Sequence, residues 1–507
     1  MSRSAKTESI LPQLGCASMQ ILRWKQHIAV AIGLLLVLIV FAFWGASWKT
    51  VPAYTCGRHQ LDPALKEYSG GWAEYDVLKR RSMYPEDYIG YEGGPRLHSL
   101  VTPNSDVCQA MQDADRDLQP LSHIAQCNVE EMLFGTRTAQ AIIYHHQNPQ
   151  NAETACQEKK YLFFVVPNYG LGSILHITTA ILAIAMENNR ILVPVYTPMC
   201  AFDNSDGTPF YDCYFEEMSS CTTWARKKFE AQTDESDMRI DEDTNIPHAY
   251  MNLPHLTNER DITDEQFAFM TYEILEKESG YTPHMAPFQM KQLLDCSPIN
   301  PEDSYYWWRA QGVTYLLRPD GAARMELDAR MRMFYESGVL PPHSVALHIR
   351  RGDKEKELDK VTSDEEFVSV LRETFLSEDW TTRQMNIPKG QHVYVSTEHL
   401  PSLNAIINAF KTEGDENGPL VSYATVPRHS SDNSPMRIAK VVGPHNEVFN
   451  SLLNLRLSIQ AHSTVGVFGS NWVRLIDELR STIGCHAKGY MLDPSFDDYI
   501  NGYRYDW

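Results

Sequence analysis

The stretch Val345-Ala346-Leu347-His348-Ile349-Arg350-Arg351-Gly352-Asp353-Lys354 decides how the rest of the chain is read. Its first half is apolar apart from His348, as in a short strand buried on both faces of a parallel sheet. Its second half carries three cations, an acid and a glycine. Open α/β sheets bind ligands at the carboxyl ends of their strands, and this strand runs out into charge. Side chains alternate along a strand, so His348 and Arg350 share a face, while Arg351 leaves that alternation where the strand ends. Arginine offers a planar fork suited to phosphate and stays charged at any relevant pH. Downstream, Lys354-Glu355-Lys356-Glu357 reads in part as a solvated charge run.

Outward from this stretch the pattern repeats. Helix Glu365 to Leu376, strand Val393 to Thr397, helix Leu400 to Phe410, strand Leu420 to Val426, helix Glu447 to Ala461, strand Val465 to Phe468 and helix Trp472 to Ile483 follow in order. Alternation of this kind predicts a doubly wound parallel sheet. A second unit lies upstream, with strand Tyr161 to Pro167, a turn containing Gly170 and Gly172, an apolar helix from His176 to Met186, and strand Arg190 to Val195. This is one βαβ unit. Its glycine turn reads either as a phosphate cradle at a helix start or as a tight turn with close strand–helix packing. Two such sheets predict a cleft suited to joining a nucleotide-bound group to a second substrate.

At the same predicted edge, Phe468-Gly469-Ser470-Asn471 offers a hydroxyl and backbone N–H groups at a helix start, and Ser396-Thr397-Glu398-His399 offers polar groups for a ribose, a base or a sugar. Capping of the helices that follow is the alternative for both.

The chain of 507 residues is long enough for two or three domains, and its net charge of −20 argues against nucleic acid as partner. A polyanionic ligand must therefore meet a local cluster of cations. Residues 28–48 (IAVAIGLLLVLIVFAFWGASW) carry no charge and are long enough to span a bilayer. The preceding residues hold Arg3, Lys6, Arg23 and Lys25 against Glu8, which predicts a cytoplasmic N-terminus and a lumenal body. Nine of the ten cysteines follow this segment, and no C-x-x-C spacing occurs, which favours structural disulfides over zinc. With nine, at least one thiol is free or pairs between chains. The body contains no Asn-x-Ser/Thr acceptor, so no N-glycan is expected on it.

The string HIRRGDK resembles the donor motif of the GDP-fucose-dependent fucosyltransferases, above all the α1,6-fucosyltransferase family that acts on the N-glycan core. Further segments resemble that family in the same order. They are Asn168 to His176; Tyr306-Trp307-Trp308 with Val313 to Pro319; Val393 to Glu398; and Leu452 to His462 with Phe468 to Arg474. The resemblance covers about residues 156 to 485. It implies a GT-B-like fold, two Rossmann-type domains facing a cleft, and inverting transfer of fucose from GDP-fucose without a metal or other cofactor. It implies that Arg350 and Arg351 hold the diphosphate and that His348, Asp353 and Lys354 complete the donor loop. Ser470 and Asn471 would contact phosphate and nucleoside, with Gly469, Gly170, Gly172, Glu398 and Asn454 also on the donor side. Asp353 or Glu357 is the candidate general base, and Arg351 would stabilise the charge that builds on the departing GDP.

The chain departs from the family at Leu358, where an acid is expected, and at Asn454, where the family carries Asp. It also stops at Trp507, before any SH3-like domain. Asp113-x-Asp115, Asp115-x-Asp117 and Asp241-x-Asp243 read as solvated turns rather than metal ligands. The predicted organisation is a tail (1–26), an anchor (27–48), a stem and helical layer (49–155), an acceptor-side domain (156–335) and a donor domain (336–507). The expected protein is a single-pass Golgi enzyme acting on a glycan or glycoprotein. An α1,2 or protein-O acceptor, a tethered non-catalytic binding protein, and a homodimer through the stem remain open.

Overall fold

A computed structural model describes residues from Asp113 to Ser495, apart from 117, 119–127, 151, 167–168, 197–212, 235, 240–247, 257–264, 272–285, 297–303, 336, 352–360, 374–391, 412–418, 430–437, 439–440 and 488–490. All of these belong to the larger of two compact units, Pro85–Trp507. The predicted anchor lies outside the described residues. Among the described residues no helix is long and apolar enough to cross a membrane.

Two parallel sheets form the framework. In the first, β1 (Lys160–Val165) lies between β2 (Arg190–Tyr196) and β3 (Phe267–Met270). The βαβ unit is present as read, but its helix starts earlier than expected, at Leu171 directly after Gly170. The sequence reading had no counterpart of β3. The second sheet has the order β6-β5-β4-β7-β8, with β4 (Val345–Ile349), β5 (His392–Thr397), β6 (Leu420–Ser422), β7 (Ser463–Gly466) and β8 (Met491–Leu492), all parallel. From β4 the chain winds first toward β6, then returns to place β7 on β4's other side. The winding direction therefore reverses between β4 and β7, and sheets of this kind open a ligand crevice at that point.

The helices that matter here are numbered in chain order: α1 (Thr136–Gln147), α2 (Ala152–Glu158), α3 (Leu171–Glu187), α4 (Thr222–Gln232), α5 (Ser304–Leu316), α6 (Gly321–Phe334), α7 (Asp364–Leu371), α8 (Leu400–Phe410), α9 (Pro444–Ser458) and α10 (Asn471–Thr482). The second sheet is covered on both faces. Val345, Leu347 and Ile349 pack with Phe367, Leu403 and Ile406 on one side. Ala346 and Tyr394 pack with Leu453 and Leu457 on the other. The first sheet buries an aromatic layer, in which Phe163 stacks on Phe267 at 5.3 Å between centroids.

One hydrophobic cluster runs through both lobes, joining Leu162, Leu175 and Ile181 to Trp307, Trp308, Leu475 and Leu479. At its centre α5 crosses α3 so closely that a Cβ on Gly312 would stand 2.1 Å from Thr179 Cγ2. The disulfide Cys156–Cys221 joins α2 to the start of α4 across 65 residues. Cys213, Cys296 and Cys485 are disulfide-bonded as well, in line with the expectation of structural bridges.

Candidate active site

The C-terminal edge of the second sheet gathers most of the predicted residues that are described. β4 ends at Ile349, and the next two residues part company. Arg350 stays at the rim with a side chain 20% exposed, its Nη1 donating to Glu398 Oε1 at 3.2 Å. Glu398 follows β5, the strand paired with β4, and the same oxygen accepts the Arg351 backbone N–H at 2.9 Å. Arg351 itself turns inward. Its Nη1 donates to the Thr362 carbonyl at 2.7 Å, its Nη2 to Asp364 Oδ1 at 2.6 Å and its Nε to Ser402 Oγ at 3.3 Å, with the guanidinium over Phe367.

The expected pair of diphosphate-facing guanidiniums is thus replaced by one arginine at the rim and one beneath it. The reason is local. Asp364 stands in the first turn of α7, a helix start held by the Ser363–Glu366 capping box. A buried guanidinium is the group that satisfies this carboxylate and carbonyl together.

His348 lies beside this edge, buried, with Nδ1 3.4 Å from Ser396 Oγ and no hydrogen-bond partner for Nε2 among the described residues. Burial, helped by Arg350, pushes its pKa down to about 3, so the imidazole is neutral at physiological pH. A buried ring nitrogen at a strand end is placed to meet a hydrogen-bonding group of a ligand. On the other side of β4, β7 leads through Gly469, exposed on the turn, to Ser470. Ser470 is the buried N-cap of α10, and its side chain makes no capping bond.

α3 starts directly after Gly170, and the starts of α3 and α10 meet. A Cβ on Gly172 would stand 3.1 Å from the Asn471 backbone, while Gly170 faces open space. Of the two alternatives for the glycine turn, Gly172 answers to close packing and Gly170 remains open to a ligand. Asn471 departs from the sequence expectation of a nucleoside contact. Its Nδ2 donates to Ser173 Oγ at 2.7 Å, and its Oδ1 accepts from Arg474 at 2.7 Å and lies 3.0 Å from His176 Nδ1. It joins the lobes. Asn454 departs likewise: Tyr394 Oη donates to its Oδ1 at 2.8 Å, and its Nδ2 returns to the Asn450 carbonyl of its own helix. Asp353, Lys354, Glu357 and Leu358 lie in 352–360, outside the described residues.

Two features here were not read from the sequence. The first is Glu447 in the opening turn of α9. Burial and then the Glu398 charge raise its pKa to about 7, against a lowering contribution from Asn450. Glu447 and Glu398 are thus near enough for the charge of one to act on the other. The second is a buried polar joint between the lobes. Glu478, fully buried on α10, accepts from Arg309 on α5 and lies 2.9 Å from His176 Nε2 on α3. Burial alone would raise the Glu478 pKa, but Arg309 and His176 outweigh it and hold the carboxylate ionised. Alongside, Tyr306 Oη donates to Asp477 at 2.8 Å, and Asp477 pairs with Arg480 at 2.6 Å. The signal was present in the sequence as Arg309 amid the apolar run of α5 and as the acids of α10, but only tertiary contact pairs them.

Among the described residues no group of three or more His, Cys, Asp or Glu is placed to hold a metal ion. No family model and no curated protein matches the sequence. Among solved structures the chain is similar to the fucosyltransferase NodZ from Bradyrhizobium, at 13% identity and a TM-score of 0.33 over 63% of this chain and 93% of that one. It is also similar to Arabidopsis thaliana FUT1 in complex with GDP, at 12%, 0.38, 72% and 79%. POFUT1 in complex with GDP-fucose follows at 12%, 0.35, 64% and 95%. Likenesses this loose leave the assignment to the chain's own residues.

Proposed function

We propose that this chain is a fucosyltransferase that moves fucose from GDP-fucose to a glycan hydroxyl with inversion, and that its acceptor is the innermost GlcNAc of the N-glycan core, through an α1,6 linkage. The reading rests on one observation above the rest. Arg350, the neutral His348 with its open Nε2, and the start of α10 all stand at the point where the second sheet reverses its winding. The order of motifs along the chain, from Asn168 to Arg474, supports the donor.

In the proposed reaction the acceptor oxygen attacks the anomeric carbon while the bond from that carbon to the β-phosphate oxygen breaks, and the electron pair leaves with GDP. Charge therefore grows on the diphosphate. Arg350 is released from Glu398 to meet it, and the N–H groups at the starts of α3 and α10 add fixed positive ends. Arg351 positions Arg350 rather than touching the donor. The hydroxyl proton goes to Asp353 or Glu357. The apolar segment 28–48 supports a single-pass Golgi membrane protein with its body in the lumen, where its disulfides form.

The test is GDP release from GDP-fucose in the presence of a core N-glycan, a galactose-terminated glycan, a folded protein acceptor, or none. Turnover with the core glycan is expected. Turnover with another acceptor alone would reassign the linkage, and binding of GDP without turnover would make the chain a tethered binding protein. An absence of both would remove the donor assignment.

A further inference from the structure

We infer that Arg428 is a positioning residue of the candidate site: it braces the strand end that carries Glu398, and through Glu398 and Ser402 it sets where Arg350 and Arg351 stand. The inference rests on the fucosyl-transfer reading of the rim and adds to it a residue that acts through others.

The need for a brace is visible in the strand pairing. β5 and β6 pair in register as far as Tyr394 and Ser422, part, and meet again where His399 bridges His429. Between these two points the β6 side has two residues more than the β5 side, so it bulges. Arg428 closes the bulge. Its Nη2 donates to the Ala424 carbonyl at 2.9 Å and its Nη1 to the Val426 carbonyl at 3.0 Å, both within the bulge. Its Nε reaches across to the Thr397 carbonyl at 3.0 Å. The guanidinium also lies 5.2 Å from the centre of the Tyr423 ring. Burial lowers its pKa, against contributions from Tyr394 and Tyr423 that raise it, and among the described residues no carboxylate pairs with it. What suits this place is the shape of the fork: N–H groups fixed in one plane meet three oxygens on two segments, which a single ammonium cannot do.

The brace ends at the rim. The His429 N–H donates to the Glu398 carbonyl at 2.9 Å and the Leu400 N–H to the His429 carbonyl at 2.6 Å, which ties the backbone around Glu398 on the side away from β4. On the β4 side the Glu398 carboxylate accepts from Arg350 Nη1 and from the Arg351 N–H. One residue further on, His399 Nδ1 accepts from the Ser402 N–H at 3.3 Å, and Ser402 Oγ accepts from Arg351 Nε at 3.3 Å. The footing of both arginines thus depends on a strand end that a third holds.

The test compares Arg428→Lys and Arg428→Ala with the wild-type full chain in detergent micelles. Both are expected to lower kcat for fucosyl transfer by roughly 10²-fold, the scale of a misplaced but intact group. KM for GDP-fucose should change less, because Arg350 acts on charge that grows in the transition state. In a chain that already carries Glu398→Ala, the further loss from Arg428→Lys should shrink to a few fold, as for residues that act through one another. Hydrogen exchange gives a readout that needs no turnover. In Arg428→Lys, exchange should quicken in peptides covering 397–402 and 424–429 and stay at the wild-type rate around Phe468, whose N–H is bound to Asp493 beyond β7. Unchanged kcat in Arg428→Lys would overturn the inference, since charge alone would then suffice. So would equal losses with and without the Glu398 side chain, or exchange that quickens as much around Phe468, because Arg428 would then serve the fold at large. A wild-type chain that neither binds GDP nor releases it from GDP-fucose would remove the donor reading instead, and the exchange pattern would still decide whether Arg428 braces Glu398.

Discussion

The joint between the lobes and the rim of the second sheet use the same residue types in opposite ways. At the joint, Arg309, Glu478 and His176 are buried together and directed at one another. At the rim, Arg350 and Glu398 form a partly exposed pair, with His348 left open at Nε2 beside them. A buried ionic cluster whose members face one another specifies one arrangement of helices. A cation paired with a carboxylate at a partly open rim can be won by a diphosphate. Counting Arg and Glu cannot separate these roles; what separates them is whether each carboxylate and guanidinium is enclosed.

The largest effect is expected at the joint. Glu478→Ala leaves Arg309 and His176 buried without their carboxylate, and breaking a buried pair from one side costs about 3–5 kcal/mol. Chemical denaturation should show that loss. If the variant unfolds at the wild-type midpoint, the joint does not hold the lobes. Gly312→Ala tests the same joint by sterics alone, since the added methyl meets Thr179.

At the rim the loss should appear in chemistry instead. Arg350→Ala is expected to lower transfer by roughly 10²–10³-fold, the range for removing a donor that stabilises developing negative charge, with the unfolding midpoint little changed. Arg351→Ala should do both, because Asp364 and the Thr362 carbonyl lose their donor: about 1–3 kcal/mol of stability goes with the activity. Equal behaviour of the two variants would mean that the inward turn of Arg351 does not separate their roles.

Much of the second sheet was legible because its strands announce themselves. β4 runs Val345–Ile349 as read, α8 runs Leu400–Phe410 as read, and α10 lies within one residue of its predicted ends. Buried parallel strands are short apolar runs bounded by turns, and local sequence suffices for them. α5 and α6 went unread as helices because both carry apolar residues around much of their circumference, which erases the periodic signal. The sequence placed Arg350, Glu398 and Ser470 on one edge through topology. It could not foresee that Arg351 would meet Asp364 or that Asn471 would reach Ser173, because those contacts depend on how α7 and α3 seat against the sheet.

Acid separates the regions again. Burial holds His348 near a pKa of about 3, and His392 and His462 near about 4, against 6.5 when unfolded. The unfolded chain therefore binds more protons between pH 6.5 and 4, and stability rises with pH across that window. It is fully present above about 6.5 and is lost as pH falls toward 4. Thermal unfolding measured from pH 7 to pH 4.5 should show a falling midpoint. The joint carboxylate Glu478 is held below its ordinary range and adds no loss until lower pH.

The smallest effect, and the sharpest probe of the rim, is Glu447→Gln. With a pKa near 7, Glu447 gains its charge across the neutral range. Above pH 7 Glu447 then adds a second negative charge near Glu398, and an incoming diphosphate is repelled. Below pH 7 that second charge is absent. The wild-type KM for GDP-fucose is therefore expected to rise severalfold from pH 6 to pH 8, while Glu447→Gln keeps the low-pH value throughout. The stability sign runs the same way. The folded state binds the extra proton between pH 4.5 and 7, so this one group opposes folding as pH rises through 7, and the glutamine removes that opposition. A wild-type KM that does not change with pH would show that Glu447 and the diphosphate never share a field, and the rim would then be Arg350 and Glu398 alone.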